Sequence, residues 1–305
     1  MLLLIRHLFR IWKRRKATAA PPAAPAAPAA PAAPRPGSGP TPAARGPLAL
    51  LAHEARYDTL ASMRNPRARF FTFMFPVLLL VIFSSVLGHG KSTVVDGTHV
   101  SLSRYFVGGI IAMSIITAAY AGLVVTIATA REAGVLKRRR ATPVPPIILI
   151  GGQAIATLLT AGIASLLLLL VARVGYGIGF SAGALAAMAI AAAVGTLAFA
   201  CLGFAVAGLI GSPDAAQPIV QATMLPLYFI SGVWIPTADL APTLRHIADV
   251  FPIEHLAAAL HLASVRGSFS GALAPSDLLV LAAWAIAASV FAARRFSWLP
   301  VAAGV

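Results

Sequence analysis

From residue 70 onward the chain is built of long apolar runs that polar residues break only at intervals, without the strict alternation of a half-buried strand. We read six spanning helices in them, at about 70–87, 106–130, 147–172, 181–210, 215–234 and 278–293. Several runs reach or exceed the roughly 20 residues a helix needs to cross a bilayer. Pro76, Pro218 and Pro226 fall inside these runs, which membrane helices tolerate when neighbours satisfy the freed backbone groups. Gly183, Ala187, Gly195, Ala198, Gly203 and Ala207 recur through the fourth run, and small residues at such spacing let helices approach closely. The predicted fold class is all-α, an integral membrane protein preceded by a disordered Ala/Pro-rich tail.

The first 47 residues follow different rules. Within residues 1–16, Leu4, Ile5, Leu8, Phe9, Ile11 and Trp12 share one side of a helical wheel. Arg6, His7, Arg10, Lys13 and Arg14 share the other, the pattern of a basic helix lying on an anionic membrane surface. Its charges interrupt and follow the apolar residues, unlike a signal peptide. Residues 17–47 are Ala/Pro repeats, which block helix formation and have nothing to bury, so they read as a disordered linker. Residues 48–305 form the transmembrane domain.

Composition fixes the class. The 305 residues are 59% hydrophobic and only 11% charged, whereas a soluble domain carries about a quarter charged residues. The formal charge of +15 reflects topology, not nucleic acid. Arg56, Arg64, Arg67 and Arg69, then Arg131 and residues 137–140, then Arg294 and Arg295 gather on one predicted face. The other face holds Lys91, Arg104, Arg173, Arg245 and Arg266. This bias puts both termini in the cytoplasm. The single Cys201 allows no intramolecular disulfide.

Several apparent motifs carry no chemistry. The segment from Gly88 to Thr93 looks like a phosphate-binding loop, but Ser85 stands where the first glycine belongs and a membrane helix precedes it. Gly175, Gly177 and Gly179 miss the dinucleotide spacing and read as a turn. His255 and His261, with Glu254 nearby, lack the i, i+4 spacing of a helical zinc pair and read as interfacial polar residues, so no metal set is assigned. No Asp, Glu, Lys or Arg lies in residues 71–87, 105–130, 141–172, 174–213 or 215–238. Ion-coupled carriers and membrane hydrolases both need ionisable groups or metal clusters at depth. The polar residues present, among them Thr117, Tyr120, Thr157, Thr160, Thr196, Thr223 and Tyr228, are expected mostly to bond across helices or to their own backbone. A minority would line a path for a lipophilic or amphipathic substrate.

Two segments stand out. One is the basic turn 131–146, with its single acid at Glu132 and prolines at its close. Glu132 is positioned either to meet a partner's donor or to cap a local helix start, and Gly134 to permit close backbone approach. The other follows the fifth run. There Leu240, Leu244, Ile247 and Phe251 fall on one helical face and Arg245, His246 and Asp249 on the other. Pro252 then opens a second short helix. Neither is long enough to span, so both read as interfacial or re-entrant elements.

Three motifs occur in order in these places. Arg64-Asn65-Pro66 precedes the first run. Arg131-Glu132-Ala133-Gly134-Val135-Leu136-Lys137-Arg138 is followed by Thr142-Pro143. Ser231-Gly232 is followed by Ile235-Pro236, Leu240-Ala241-Pro242 and Phe251-Pro252-Ile253. Together they resemble the permease subunit of a type-2 ATP-binding-cassette exporter, the class of drug, antibiotic and polysaccharide exporters. Val135 replaces the usual Thr, Ala241 intervenes before a proline, and Phe251 replaces Asn. The resemblance implies six helices per permease, a homodimer or a heterodimer with a second permease, and a separate ATPase that binds ATP and Mg. This chain itself would bind no cofactor and would not be an enzyme. The resemblance makes Arg131, Glu132, Gly134, Leu136, Arg138, Thr142 and Pro143 the ATPase-coupling residues. It makes Ser231, Gly232, Pro236, Leu240, Pro242 and Pro252 an outer gate segment, and the helix near 50–63 a surface helix touching the ATPase. The expected location is the plasma membrane of a bacterial type of cell, multi-pass and in contact with lipid. A secondary carrier and a non-transporting membrane scaffold are the rival classes.

Overall fold

The computed structural model describes residues 46–88, 90–135 and 146–295. The surface helix at 1–16, the linker up to residue 45, and Leu136, Arg138, Thr142 and Pro143 lie outside the described residues.

Helix α1, Pro47–Arg64, starts with proline at its first position, where the missing N–H costs nothing. It stops at Asn65, which is extended (φ −80°, ψ 111°) because the following Pro66 disfavours the helical region. The Arg-Asn-Pro triplet is thus a built-in break between two helices. Helix α2 then runs over residues 66–87, with single π turns at Phe70–Met74 and Phe83–Leu87.

A hairpin separates α2 from α3. Strands β1, Ser92–Val95, and β2, Thr98–Ser101, pair antiparallel with Val95 opposite Thr98. Asp96 (φ 47°) and Gly97 (φ 72°) form the connection, the left-handed pair that a two-residue hairpin turn requires. Arg266 binds the Asp96 carboxylate across the fold. The all-α reading has no strand here; the Asp-Gly pair between short β-branched runs is the signal for the hairpin.

Helix α3, Leu102–Glu132, is the centre of the bundle. Every residue from 105 to 116 is buried, as expected of a helix that is apolar all round. A π turn at Thr117–Ala121 interrupts it, closed by the Gly122 N–H on the Thr117 carbonyl. Helices α4 (Pro146–Tyr176), α5 (Ala182–Ala207), α6 (Pro213–Ile230), α7 (Pro242–Ala248), α8 (Pro252–Val265), α9 (Phe269–Ala272) and α10 (Pro275–Arg295) follow.

The small residues of α5 act as the spacing predicts. A Cβ added at Gly203 would sit 3.0 Å from the Ala119 carbonyl oxygen, and one at Gly195 would sit 2.5 Å from the Leu256 side chain. Bare backbone here therefore lets α5 close on α3 and α8. In the same way α1 packs on α4 where Leu51 and Glu54 meet Gly151 and Gly152. The mid-helix hydroxyls bond back as expected: Thr157 to the Gln153 carbonyl, Thr160 to Ala156 and Thr196 to Ala192.

Among the described residues, five helices are long and apolar enough to cross a membrane, within α2, α3, α4, α5 and α10. Helix α6 forms, but its Asp214, two glutamines and three prolines dilute its hydropathy below theirs. Of the two readings offered for α8, interfacial or re-entrant, its burial is compatible with the second and not the first. Leu256, Ala257, Leu260 and Ala263 are buried against the bundle, so α8 belongs to the core. Helix α7 buries only Ala248, and Leu244 and Ile247 on its predicted apolar face stay exposed.

Candidate functional site

The residues singled out by sequence that the structure describes gather beside the two ends of α3. The two groups lie roughly 40 Å apart at 1.5 Å per residue.

At the C-terminal end, Glu132 is the last helical residue and is exposed. It closes α3, and the later part of the turn, whose helix start it could cap, lies outside the described residues. Ala133 and Gly134 make the turn. Gly134 adopts φ +66°, and a Cβ there would meet nothing within 4 Å. The turn bonds back onto the helix, Ala133 N–H to the Thr129 carbonyl and Gly134 N–H to Arg131. This is the left-handed glycine stop common at helix ends.

Arg131 behaves differently from its neighbour. The sequence reading puts it on the same docking surface as Glu132, but its side chain is 2% exposed and points into the bundle. The guanidinium donates to the Ala207 carbonyl at 3.1 Å and also to the Ile210 carbonyl. These oxygens lie at and just beyond the C-terminus of α5, where carbonyls have no partner within the helix and a cation is favoured. Arg131 therefore joins the turn to the end of α5.

At the other end of α3, the segment after α6 is pinned by one carbonyl. Gly232 (φ +71°) turns the chain, and its carbonyl accepts from Tyr105 Oη at 2.6 Å and from His261 Nε2 at 3.0 Å. Tyr105 and His261 stack face to face, centroids 3.9 Å apart at 11°. The adjacent Gly108 and Gly109 make room for them. A Cβ on Gly108 would sit 2.7 Å from His261 Nδ1, and one on Gly109 only 2.2 Å from the Val233 carbonyl oxygen. Trp234 packs on Phe83, Tyr228 and Phe229 and closes the cluster.

The predicted gate residues are spread through this segment. Ser231, Gly232 and Pro236 are buried and Leu240 is half-buried. Pro242 and Pro252 each occupy the first turn of their helix, α7 and α8. Tyr105, His261 and the glycine pair were not singled out with them. Their only sequence signal was a Gly-Gly pair inside an apolar helix. Between the two ends, Tyr120 Oη lies 3.4 Å from Thr223 Oγ1 and links α3 to α6 beside the π turn.

The starts of α8 and α10 also meet. His255 Nδ1 is 2.7 Å from Asp277 Oδ1, and its Nε2 donates to the Asp249 carbonyl at 2.9 Å. The hydrogen bond to Asp277 raises the His255 pKa above its ordinary value, and burial raises that of Glu254.

The described residues form a multi-pass helical bundle with a glycine-stopped turn at one end of α3 and a pinned loop at the other. The family model described as ABC-2 type transporter matches residues 54–263. The chain belongs to that family, and its membrane domain is the permease component of such a transporter. The match runs from within α1 to within α8. No curated protein matches the chain.

Proposed function

We propose that this chain is the membrane-spanning permease subunit of an ATP-driven exporter, moving a lipophilic or amphipathic substrate out of the cell. A separate ATPase carries the ATP and Mg and docks on the 131–143 turn. The observation that carries the reading is the Arg131 tether. A displacement applied to the turn reaches α3 directly and α5 through two carbonyl bonds, so one docked partner moves two long helices together. The Lys/Arg distribution favours cytoplasmic termini and six spans, with α6 as the fifth. The uncovered Leu244 and Ile247 of α7 favour pairing with a second permease, identical or related. The membrane is the plasma membrane of a bacterial type of cell.

Glu132→Ala and Gly134→Leu test the docking. A charge-assisted bond from Glu132 contributes roughly 1.5–3 kcal/mol, and a side chain forced to positive φ at Gly134 costs about 1–2 kcal/mol. Both variants are expected to insert normally and to lose most transport and substrate-stimulated ATP hydrolysis in proteoliposomes. Wild-type rates in both would remove the turn from the mechanism.

Topology is tested with single cysteines in a Cys201→Ala background. A cysteine at Thr243 should react with an impermeant reagent added outside, and one at Arg139 should not. The reverse pattern would invert the assigned orientation.

A further inference from the structure

We propose that Glu254, His255 and Asp277 form a binding site for a divalent transition-metal ion of the zinc class, bridging the starts of α8 and α10. Glu254 and His255 lie in the first turn of α8 and Asp277 in the first turn of α10. Their ligand atoms all fall within 4.8 Å of one another.

The tautomer of His255 supports the site. The Asp249 backbone oxygen accepts only, so Nε2 carries the proton of that 2.9 Å bond. Nδ1 faces two carboxylates, Asp277 Oδ1 at 2.7 Å and Glu254 Oε2 at 3.5 Å, and the proton it shares with Asp277 is the one a metal ion would displace. Three electron-pair donors facing one another need a cation between them, either a second proton or a metal ion. A backbone carbonyl that holds the far ring nitrogen is the usual support for a metal-bound imidazole.

Size and charge also fit. Ligand atoms about 2.0–2.2 Å from a tetrahedral ion lie roughly 3.3–3.6 Å from each other. The 3.5 Å separation from Glu254 lies within that range and the 2.7 Å one from Asp277 falls short of it, so a small rotation of the Asp277 carboxylate would open room for the ion. Two carboxylates and a neutral imidazole neutralise a 2+ ion. That balance matters because the three side chains are only 14–22% exposed. One imidazole with two carboxylates suits zinc-like ions better than calcium, which prefers six or more oxygens.

Access is provided next to the site. A cavity of about 300 Å³ is bordered by Thr237, Arg245, His246, Asp249 and Glu254. It opens on the Glu254 side of the site and gives an approach from there. Its one cationic wall, Arg245, is engaged with the Ala238 carbonyl at 2.8 Å. Sequence spacing misses this set because Asp277 comes from another helix, 22 residues beyond His255.

The test uses the full-length chain, purified without an affinity tag in detergent and titrated with Zn²⁺ alone. Calorimetry should show one saturable equivalent in the micromolar range, with a rise in the unfolding midpoint. Binding should weaken at least tenfold in His255→Ala, Asp277→Asn and Glu254→Gln, and stay unchanged in His246→Ala. The Glu254→Gln variant keeps both hydrogen bonds of His255, so its loss of zinc is separable from loss of fold. X-ray absorption of the zinc-loaded protein should show a single imidazole and otherwise oxygen ligands. No saturable uptake, equal uptake by the three variants, or two or more imidazoles on the ion would each overturn the site. His255 and Asp277 would then be a plain ion pair between two helices.

Discussion

Arg131→Met is expected to lower the unfolding midpoint of the solubilised protein markedly and to abolish transport. The guanidinium is buried and is the hydrogen-bond donor to the Ala207 and Ile210 carbonyls. Methionine reproduces the apolar stem but is shorter and donates nothing. Leaving a buried acceptor unpaired costs roughly 1–3 kcal/mol, so the two oxygens together cost about 2–6 kcal/mol. Lysine offers a single point of donation in place of a planar fork and should restore about half of that. The decisive comparison is with Glu132→Ala, whose exposed side chain should leave the midpoint unchanged while transport falls. An Arg131→Met protein that unfolds at the wild-type temperature would show that the tether bears no weight.

The second large effect is expected at Gly109. A single added methyl in Gly109→Ala lands 2.2 Å from the Val233 carbonyl oxygen and 3.2 Å from its Cα. Backbone, not a flexible side-chain tip, stands in the way, so the 231–234 segment must move by about an ångström to reach ordinary contact distance. That shift breaks the bonds from Tyr105 and His261 to Gly232. Overpacking costs about 1–3 kcal/mol and each lost bond about 0.5–1.5 kcal/mol more. Gly162→Ala is the control. Nothing lies within 4 Å of its added Cβ, so improved helix propensity should leave stability equal or raise it by up to about 1 kcal/mol. Thermal unfolding of both variants gives the answer directly. Equal midpoints would mean that the Gly232 loop is free to retreat.

The long helices were legible because a bilayer demands continuous apolar residues, and the apolar part of α2 falls at Phe70–Leu87 as read. Helix α6 was legible as a helix, but Asp214, Gln217 and Gln221 weaken its claim to span by composition. The small-residue stripe of α5 was also readable, since close approach needs absent side chains. What stayed hidden shares one physical cause. Arg131, Tyr105 and His261 all bond to main-chain oxygens, and a carbonyl has no letter in the sequence. All of the coupling residues therefore read as one docking surface, although the first of them, Arg131, faces inward. The hairpin was written in Asp96-Gly97 but was masked by the apparent phosphate loop beside it. Burial of α8 was illegible because its His255, His261 and Ser264 mimic a half-polar surface helix until their partners are known.

The main-chain character of the Arg131 link has a consequence for how such domains diverge. A grip on carbonyl oxygens does not depend on which side chains stand at Ala207 and Ile210. Those positions are free to drift so long as the helix ends in the same place. Compensating substitutions, the usual trace of two segments that touch, should therefore be missing between the turn and the end of α5. A lineage could exchange every residue around the carbonyls and keep the joint intact, whereas inserting one residue between Ala207 and Ile210 would dislocate it.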